Sequence, residues 1–138
     1  MAENIRLEIV TPEKAVVSED VQIAMAPGEL GEFGVLAGHT PFLSTLKMGT
    51  VRYTDADGND RVIFVSSGFA EALPDKVTIL AESAERRRDI DLERAQSALE
   101  RAQERLALEK KEEIDYIRAR TALEKAMHRL KVAATKRG

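Results

Sequence analysis

The residues best suited to chemistry in this sequence are cationic. Beyond residue 85 the chain carries Arg86, Arg87, Arg88, Arg94, Arg101, Arg129, Lys131, Lys136 and Arg137 among others, side chains able to hold phosphate oxygens, a nucleotide or an acidic protein surface. Nucleic acid fits them poorly. Acidic residues are interleaved with them, no helix face is wholly basic, and Tyr116 is the one aromatic there for base stacking. Catalytic groups are sparse. There is no cysteine, which excludes thiol nucleophiles, Cys-ligated zinc and disulfides. His39 lies in PGELGEFGVLAGHTP (27–41), a glycine-dense stretch read as a packed loop, and has no second His or suitably spaced carboxylates with which to bind a metal. That stretch lacks the Gly-x4-Gly-Lys-Ser/Thr pattern of a phosphate loop, and no helix follows it to make a dinucleotide fingerprint. No nucleophile elbow or paired His and carboxylate appears elsewhere. The chemistry is that of binding, with no enzyme activity of the chain alone, no metal and no required cofactor.

Two unlike segments must position these groups. Of 138 residues, the first 84 hold all 4 Pro, 7 of the 8 Gly and 5 of the 6 aromatics. Their net charge is −7, whereas that of residues 85–138 is +4. This predicts an acidic, turn-rich body followed by a basic, turn-free tail. In the body, Ile5, Leu7 and Ile9 alternate with polar neighbours as in a strand with one buried face. Further strands are predicted at 15–17, at 21–26 with Val21, Ile23 and Met25 on one face, and at 42–46. Residues 51–53 and 61–66 flank an Asp57-Gly58 turn, and residues 69–73 and 77–80 flank Pro74-Asp75, so each pair reads as a hairpin. Eight to ten such strands imply an antiparallel sandwich or barrel.

In the tail, Leu92, Ala95, Leu99, Ala102 and Leu106 recur at the spacing of a coiled-coil stripe, with Asp91 as N-cap. Tyr116, Ala119, Leu123, Ala126, Leu130 and Ala133 form a second stripe. The two predict an antiparallel helical hairpin, weakly held because alanine buries little apolar area. Residues 107–113 contain no Gly, Pro, Asn or Ser to stop a helix, so a folded hairpin and one long helix compete. The opening MAENIRLEIV has neither a basic region nor an apolar core of a leader, and no apolar run reaches the roughly 18 residues of a membrane span. A soluble, cytosolic protein is expected, touching membrane only indirectly.

LEIVTPE (7–13), GELGEFGVLAGHTPFL (28–43), SSGFAEALPDKVTILAESAERRRDID (66–91) and ALEKAMHRLKVA (122–133) carry a resemblance over essentially the whole chain. It resembles the ε subunit of bacterial F-type rotary ATP synthases. The resemblance implies an N-terminal β-sandwich of about ten strands over 1–85 and a C-terminal two-helix antiparallel hairpin, an extendable regulatory tail, over 86–138. It implies a place in the central rotor on the γ subunit, against the c-subunit ring, at the cytoplasmic face of the inner membrane, where the subunit couples proton flow to ATP synthesis.

Site roles follow from the same resemblance. Glu32 and His39 would face the c ring. Ile90, Asp91, Arg94 and Ala95 match an Ile/Leu-Asp-x-x-Arg-Ala motif that binds regulatory ATP in some members, supported by Glu85, Arg101 and Arg129. Lys125 stands where those members carry arginine, and lysine lacks arginine's bidentate fork. Asp91 and Arg94 keep their plain readings as N-cap and solvated arginine. Lys131, Lys136 and Arg137 would meet the α/β catalytic subunits when the tail extends to inhibit ATP hydrolysis. On composition alone, a stand-alone adaptor built from a β-domain and a helical hairpin shares these features.

Overall fold

The computed structural model describes residues 3–107 and 113–135. Nine strands come first: β1 (Ile5–Val10), β2 (Ala15–Gly28), β3 (Gly31–Val35), β4 (Phe42–Leu46), β5 (Gly49–Asp55), β6 (Asp60–Val65), β7 (Gly68–Leu73), β8 (Lys76–Ala81) and β9 (Ala84–Arg86). A 3-10 turn at Arg87–Asp89 then leads into α1 (Leu92–Ala107) and α2 (Glu113–Ala133). The strands hydrogen-bond in the order β1-β8-β7-β4-β2-β5-β6-β9, and β1 returns to pair with β2. The sheet thus wraps on itself into a β-sandwich around one core, in which Ile5, Leu7, Ile9, Val21, Val51, Ile63 and Ile79 are almost wholly buried. Pairing is antiparallel except between β1 and β8, which run parallel.

The long strand β2 organises this wrap. It pairs with β1 through Ala15–Val21, with β5 through Val21–Met25 and with β3 through Ala24–Gly28. Three sequence expectations are corrected here. The segments at 15–17 and 21–26 are one strand, and the glycine-dense stretch is not all loop: residues 27–28 end β2 and residues 31–35 form β3, hairpinned onto it. The third correction concerns which face β2 buries. Val21 and Ile23 oppose the adjacent residues Asp55 and Thr54, so Gln22 is an extra residue on the β2 side. One extra residue reverses the alternation of faces. Val21, Ala24 and Ala26 therefore enter the core, while Ile23 and Met25 lie half-buried on the opposite face.

The β5–β6 hairpin forms where the Asp-Gly signal places it, with Gly58 at φ 87°. Asp55 closes its turn by accepting the backbone N–H groups of Asp57 (3.0 Å) and Asn59 (2.9 Å). Strand β6 is buried on both faces. Ile63 and Val65 fill the sandwich core, while Val62 and Phe64 meet Ile90 and Val132 in a separate cluster under the tail.

Residues 108–112 lie outside the described residues, and most of the predicted stopless linker lies with them. A connection of five residues reaches less far than the roughly 24 Å length of α1, so two helices packed along each other must run antiparallel. Ala95, Ala102, Ala119 and Ala126 are the buried residues of the seam, flanked by half-buried Leu99, Leu106, Leu123 and Leu130. Leu92 and Tyr116, which begin the two predicted stripes, are exposed. On the body the hairpin sits by the end of α2, where Val132 is 1% exposed and Ala133 packs beside it. That is a small seat, since each buried aliphatic side chain contributes about 1.5–3 kcal/mol.

Ala126→Leu should force the helices apart and destabilise the hairpin by about 1–3 kcal/mol. Hydrogen exchange should show faster exchange at the amides of α1 and α2, with those of β1 to β8 unchanged.

Candidate functional site

Where the tail joins the body, a cleft of about 350 Å³ is lined by Glu85, Asp89, Asp91, Arg94, Ala95, Ala98, Arg101 and Arg129. Asp91 caps α1. Its Oδ1 accepts the Arg94 backbone N–H at 3.0 Å, and its carbonyl accepts that of Ala95 at 2.9 Å. The cap turns the first helical turn so that Arg94 and, two turns on, Arg101 line one wall. Neither guanidinium has a protein hydrogen bond or ion pair among the described residues.

Arg129 crosses from α2 to the opposite wall. Its Nε donates to Glu85 Oε1 at 3.0 Å, its Nη2 is ion-paired with the same oxygen at 2.8 Å, and its guanidinium lies 4.9 Å from the centre of the Phe64 ring. Glu85 faces it because β9 pairs with β6 in a register that sets Glu85 opposite Phe64. The cleft thus gathers six of the eight residues expected around a nucleotide: Glu85, Asp91, Arg94, Ala95, Arg101 and Arg129. Ile90 is instead 8% exposed in the cluster under α2, and Lys125 is half-buried outside the cleft lining. Asp89 and Ala98 join the lining with no sequence signal of their own. Arg86, counted among the cations for ligands, is spent inward on the Val16 carbonyl (3.2 Å), the Tyr53 hydroxyl (3.4 Å) and Glu19 (3.8 Å).

Glu32 and His39 lie at opposite ends of β3. Glu32 accepts from Arg52 Nη2 at 2.6 Å on the surface. His39 donates from Nδ1 to the Thr40 carbonyl at 2.6 Å and stacks edge-on against Phe42, which stacks in turn on Phe33. Its loop is tied to the β7–β8 turn by the Gly38 N–H on the Pro74 carbonyl, 2.7 Å away. Lys131 is exposed on α2, and Lys136 and Arg137 lie outside the described residues.

Two features escaped sequence reasoning. Phe69 and Leu80 sit opposite each other on β7 and β8, both more than half exposed, and with Val10 they line an apolar cleft of about 560 Å³. Their signal was Phe69 standing out of phase with buried Ala70 and Ala72. The other is His128, half-buried on the face of α2 turned to the body. Burial, and then the charges of Lys131 and Lys47, push its imidazole below the usual 6.5, against the upward pull of Glu124.

The beta-sandwich domain of the ATP synthase delta/epsilon chain matches residues 4–87, and the long alpha-helix domain of the same chain matches residues 88–134. The chain belongs to the ATP synthase delta/epsilon chain family. It is 63% identical over 106 residues to the ATP synthase epsilon chain of Desulfosudis oleivorans, covering 77% of this chain and 80% of that one. To the epsilon chain of Desulfatibacillum aliphaticivorans it is 66% identical over 106 residues, 77% and 75% of the two chains. A chain of the Euglena gracilis mitochondrial ATP synthase, solved as OSCP/F1/c-ring, superposes with a TM-score of 0.82 at 26% identity over 98% of this chain and 84% of its own. A chain of the Tetrahymena thermophila enzyme's central stalk and c ring shares the fold, with a TM-score of 0.63 at 10% identity over 96% and 98%. As a delta/epsilon family member the chain is an epsilon-type, non-catalytic subunit of an ATP synthase. Among the described residues no helix is long and apolar enough to cross a membrane.

The lowered pKa of His128 makes the seat of this tail acid-sensitive. A base whose folded-state pKa lies below its unfolded value binds fewer protons when folded. Its contribution is therefore complete above pH 6.5 and is lost as pH falls through the lowered value. Acidification below 6.5 should lower the protection factors of the amides in the last turns of α2, and His128→Gln should flatten that dependence.

Proposed function

We propose that the subunit works as the ε chain of a bacterial F-type ATP synthase, its body coupling the γ subunit to the c ring and its tail acting as a nucleotide-sensitive brake on ATP hydrolysis. The observation that carries the brake is the cleft at the joint. Arg94 and Arg101 hold free guanidinium groups toward a space that also contains the one arginine tying α2 to the body. ATP fits there as a ligand and not as a substrate, its phosphate oxygens taken by Arg94 and Arg101 in charge-assisted hydrogen bonds. Because the cleft exists only while α2 brings Arg129 against Glu85 beside α1, a ligand that binds it favours the folded hairpin over the extended one. Lys125 takes no part, as it stands outside the cleft.

The exposed apolar pair Phe69 and Leu80 suits docking on γ, with Leu43 (71% exposed) on the neighbouring strand widening the patch. Glu32, with Arg52 beside it, and His39 are the groups for the polar loops of the c ring. Lys131, with Lys136 and Arg137, supplies the charge that meets acidic segments of the α/β catalytic subunits once the hairpin opens. The working location is the cytoplasmic face of the inner membrane, reached through the complex.

Calorimetric titration of ATP into the full chain should give saturable binding that Arg94→Ala with Arg101→Ala weakens about tenfold or more. No saturable heat at millimolar ATP would remove the nucleotide from this account. Truncation before residue 88 should raise ATP hydrolysis by the assembled complex while leaving proton-coupled synthesis intact. Unchanged hydrolysis under every nucleotide condition would show that the tail is not inhibitory.

A further inference from the structure

A second cleft, of about 460 Å³, opens between the body and the last turns of α2 and shares no lining residue with the cleft at Glu85 and Arg129. The body contributes Lys47, Arg52 and Glu32 to it, and α2 contributes His128 and Lys131, one turn apart on the same face. Lys47 stands on a fixed backbone, its N–H donating to the Pro27 carbonyl at 3.0 Å, and two residues on Gly49, the first of β5, is packed so closely on Pro27 that a Cβ there would lie 2.9 Å from the proline ring. The single carboxylate in the lining, Glu32, is committed to Arg52 at 2.6 Å. Among the described residues, the Lys47 and Lys131 ammonium groups and the His128 ring have no protein hydrogen bond or ion pair. Like charges from the two halves therefore face one another across the seat of the tail, close enough for both lysines to act on His128, with Glu124, outside the lining on α2, opposing them in part. Such an arrangement disfavours docking unless a counter-charge fills the space.

We propose that this cleft binds a small multivalent oxyanion, with inorganic phosphate as the simplest case, held between Lys47 of the body and His128 and Lys131 of the tail, and that the bound anion fastens the hairpin down. The oxyanion takes hydrogen bonds from the two ammonium groups and from the protonated His128 ring, and converts a repulsive contact into a bridged one. Phosphate free in solution and the phosphate chain of a nucleotide share this chemistry. The site does not depend on nucleotide binding at Arg94 and Arg101, and the two fail separately in the test below.

The test is an NMR titration of the full chain with inorganic phosphate at constant ionic strength, with chloride as the balancing salt and ATP in a parallel arm. The expected result is a saturable shift of the His128 ring and of the Lys47 and Lys131 amides. Phosphate should also raise the pH midpoint of His128 titration and slow amide exchange in the last turns of α2. Lys47→Ala with Lys131→Ala should weaken the phosphate response about tenfold or more while β-sandwich amide shifts stay in place. Arg94→Ala with Arg101→Ala should leave the phosphate response intact and remove only the ATP response at the other cleft. Three results would each overturn the proposal: a linear, non-saturating shift, the same shift in chloride alone, or an undiminished response in the double lysine variant. A response to ATP at His128 with none to phosphate would assign the cleft to nucleotide and would likewise overturn it.

Discussion

The guanidinium of Arg129 lies over the Phe64 ring and is both hydrogen-bonded and ion-paired to one oxygen of Glu85. This contact ties α2 to β6 and β9 at once, and little else does. The remaining grip is Val132 and Ala133 against Val62, Phe64, Ile90 and Met48. The sandwich core, closed by β1 on both β2 and β8, draws its buried residues from the strands alone and owes none of them to the tail. The two halves are therefore unequal partners: one has its own core, and the other is moored, among the described residues, chiefly by this polar contact and a patch of a few aliphatic groups.

The electrostatics of the joint divide along α2. Toward Glu85, three carboxylates and three arginines line one cleft, so its charge is balanced and a ligand has to compete for or supplement existing bonds. Toward Lys47, the cations exceed the one carboxylate, and the imbalance is relieved in part by His128 remaining neutral. The same helix thus carries a latch on one side and a charge conflict on the other. A helix moored in this way responds to conditions, because small changes in local charge are comparable with the few kcal/mol that hold it.

Much of this was legible in the sequence where the signal is local. The Asp57-Gly58 and Pro74-Asp75 turns, the alternation in β1 and the alanine stripes of the tail each depend on neighbours within a few residues, and the structure has them. What failed depends on a count or a pairing at long range. A one-residue bulge at Gln22 moved Ile23 and Met25 off the core face, and nothing in residues 21–26 alone announces it. β3 looked like a loop because its glycines lower strand propensity, yet β2 supplies it with a partner along its whole length. In the candidate nucleotide cleft the helix-borne Asp91, Arg94 and Arg101 are placed by helical spacing. Glu85 reaches Arg129 only through the register of β9 on β6, which no periodicity encodes. His128 had no pattern around it, and its importance comes from Lys47, 81 positions earlier in the chain.

The seam between α1 and α2 has a consequence for the tail after it lets go. Ala95, Ala102, Ala119 and Ala126 are its buried members, and each hides little more than a methyl group, about 0.8 kcal/mol of transfer free energy. Helices joined by leucines would, once parted, display a broad greasy stripe and invite aggregation or capture by the wrong surface. Here alanines hold the centre of the seam and Leu99, Leu106, Leu123 and Leu130 only flank it half-buried, so parting bares a thinner apolar stripe than a leucine seam would. The choice of the smallest apolar side chain at the centre thus makes solitude less costly: each helix can travel alone through a crowded assembly with less to stick by.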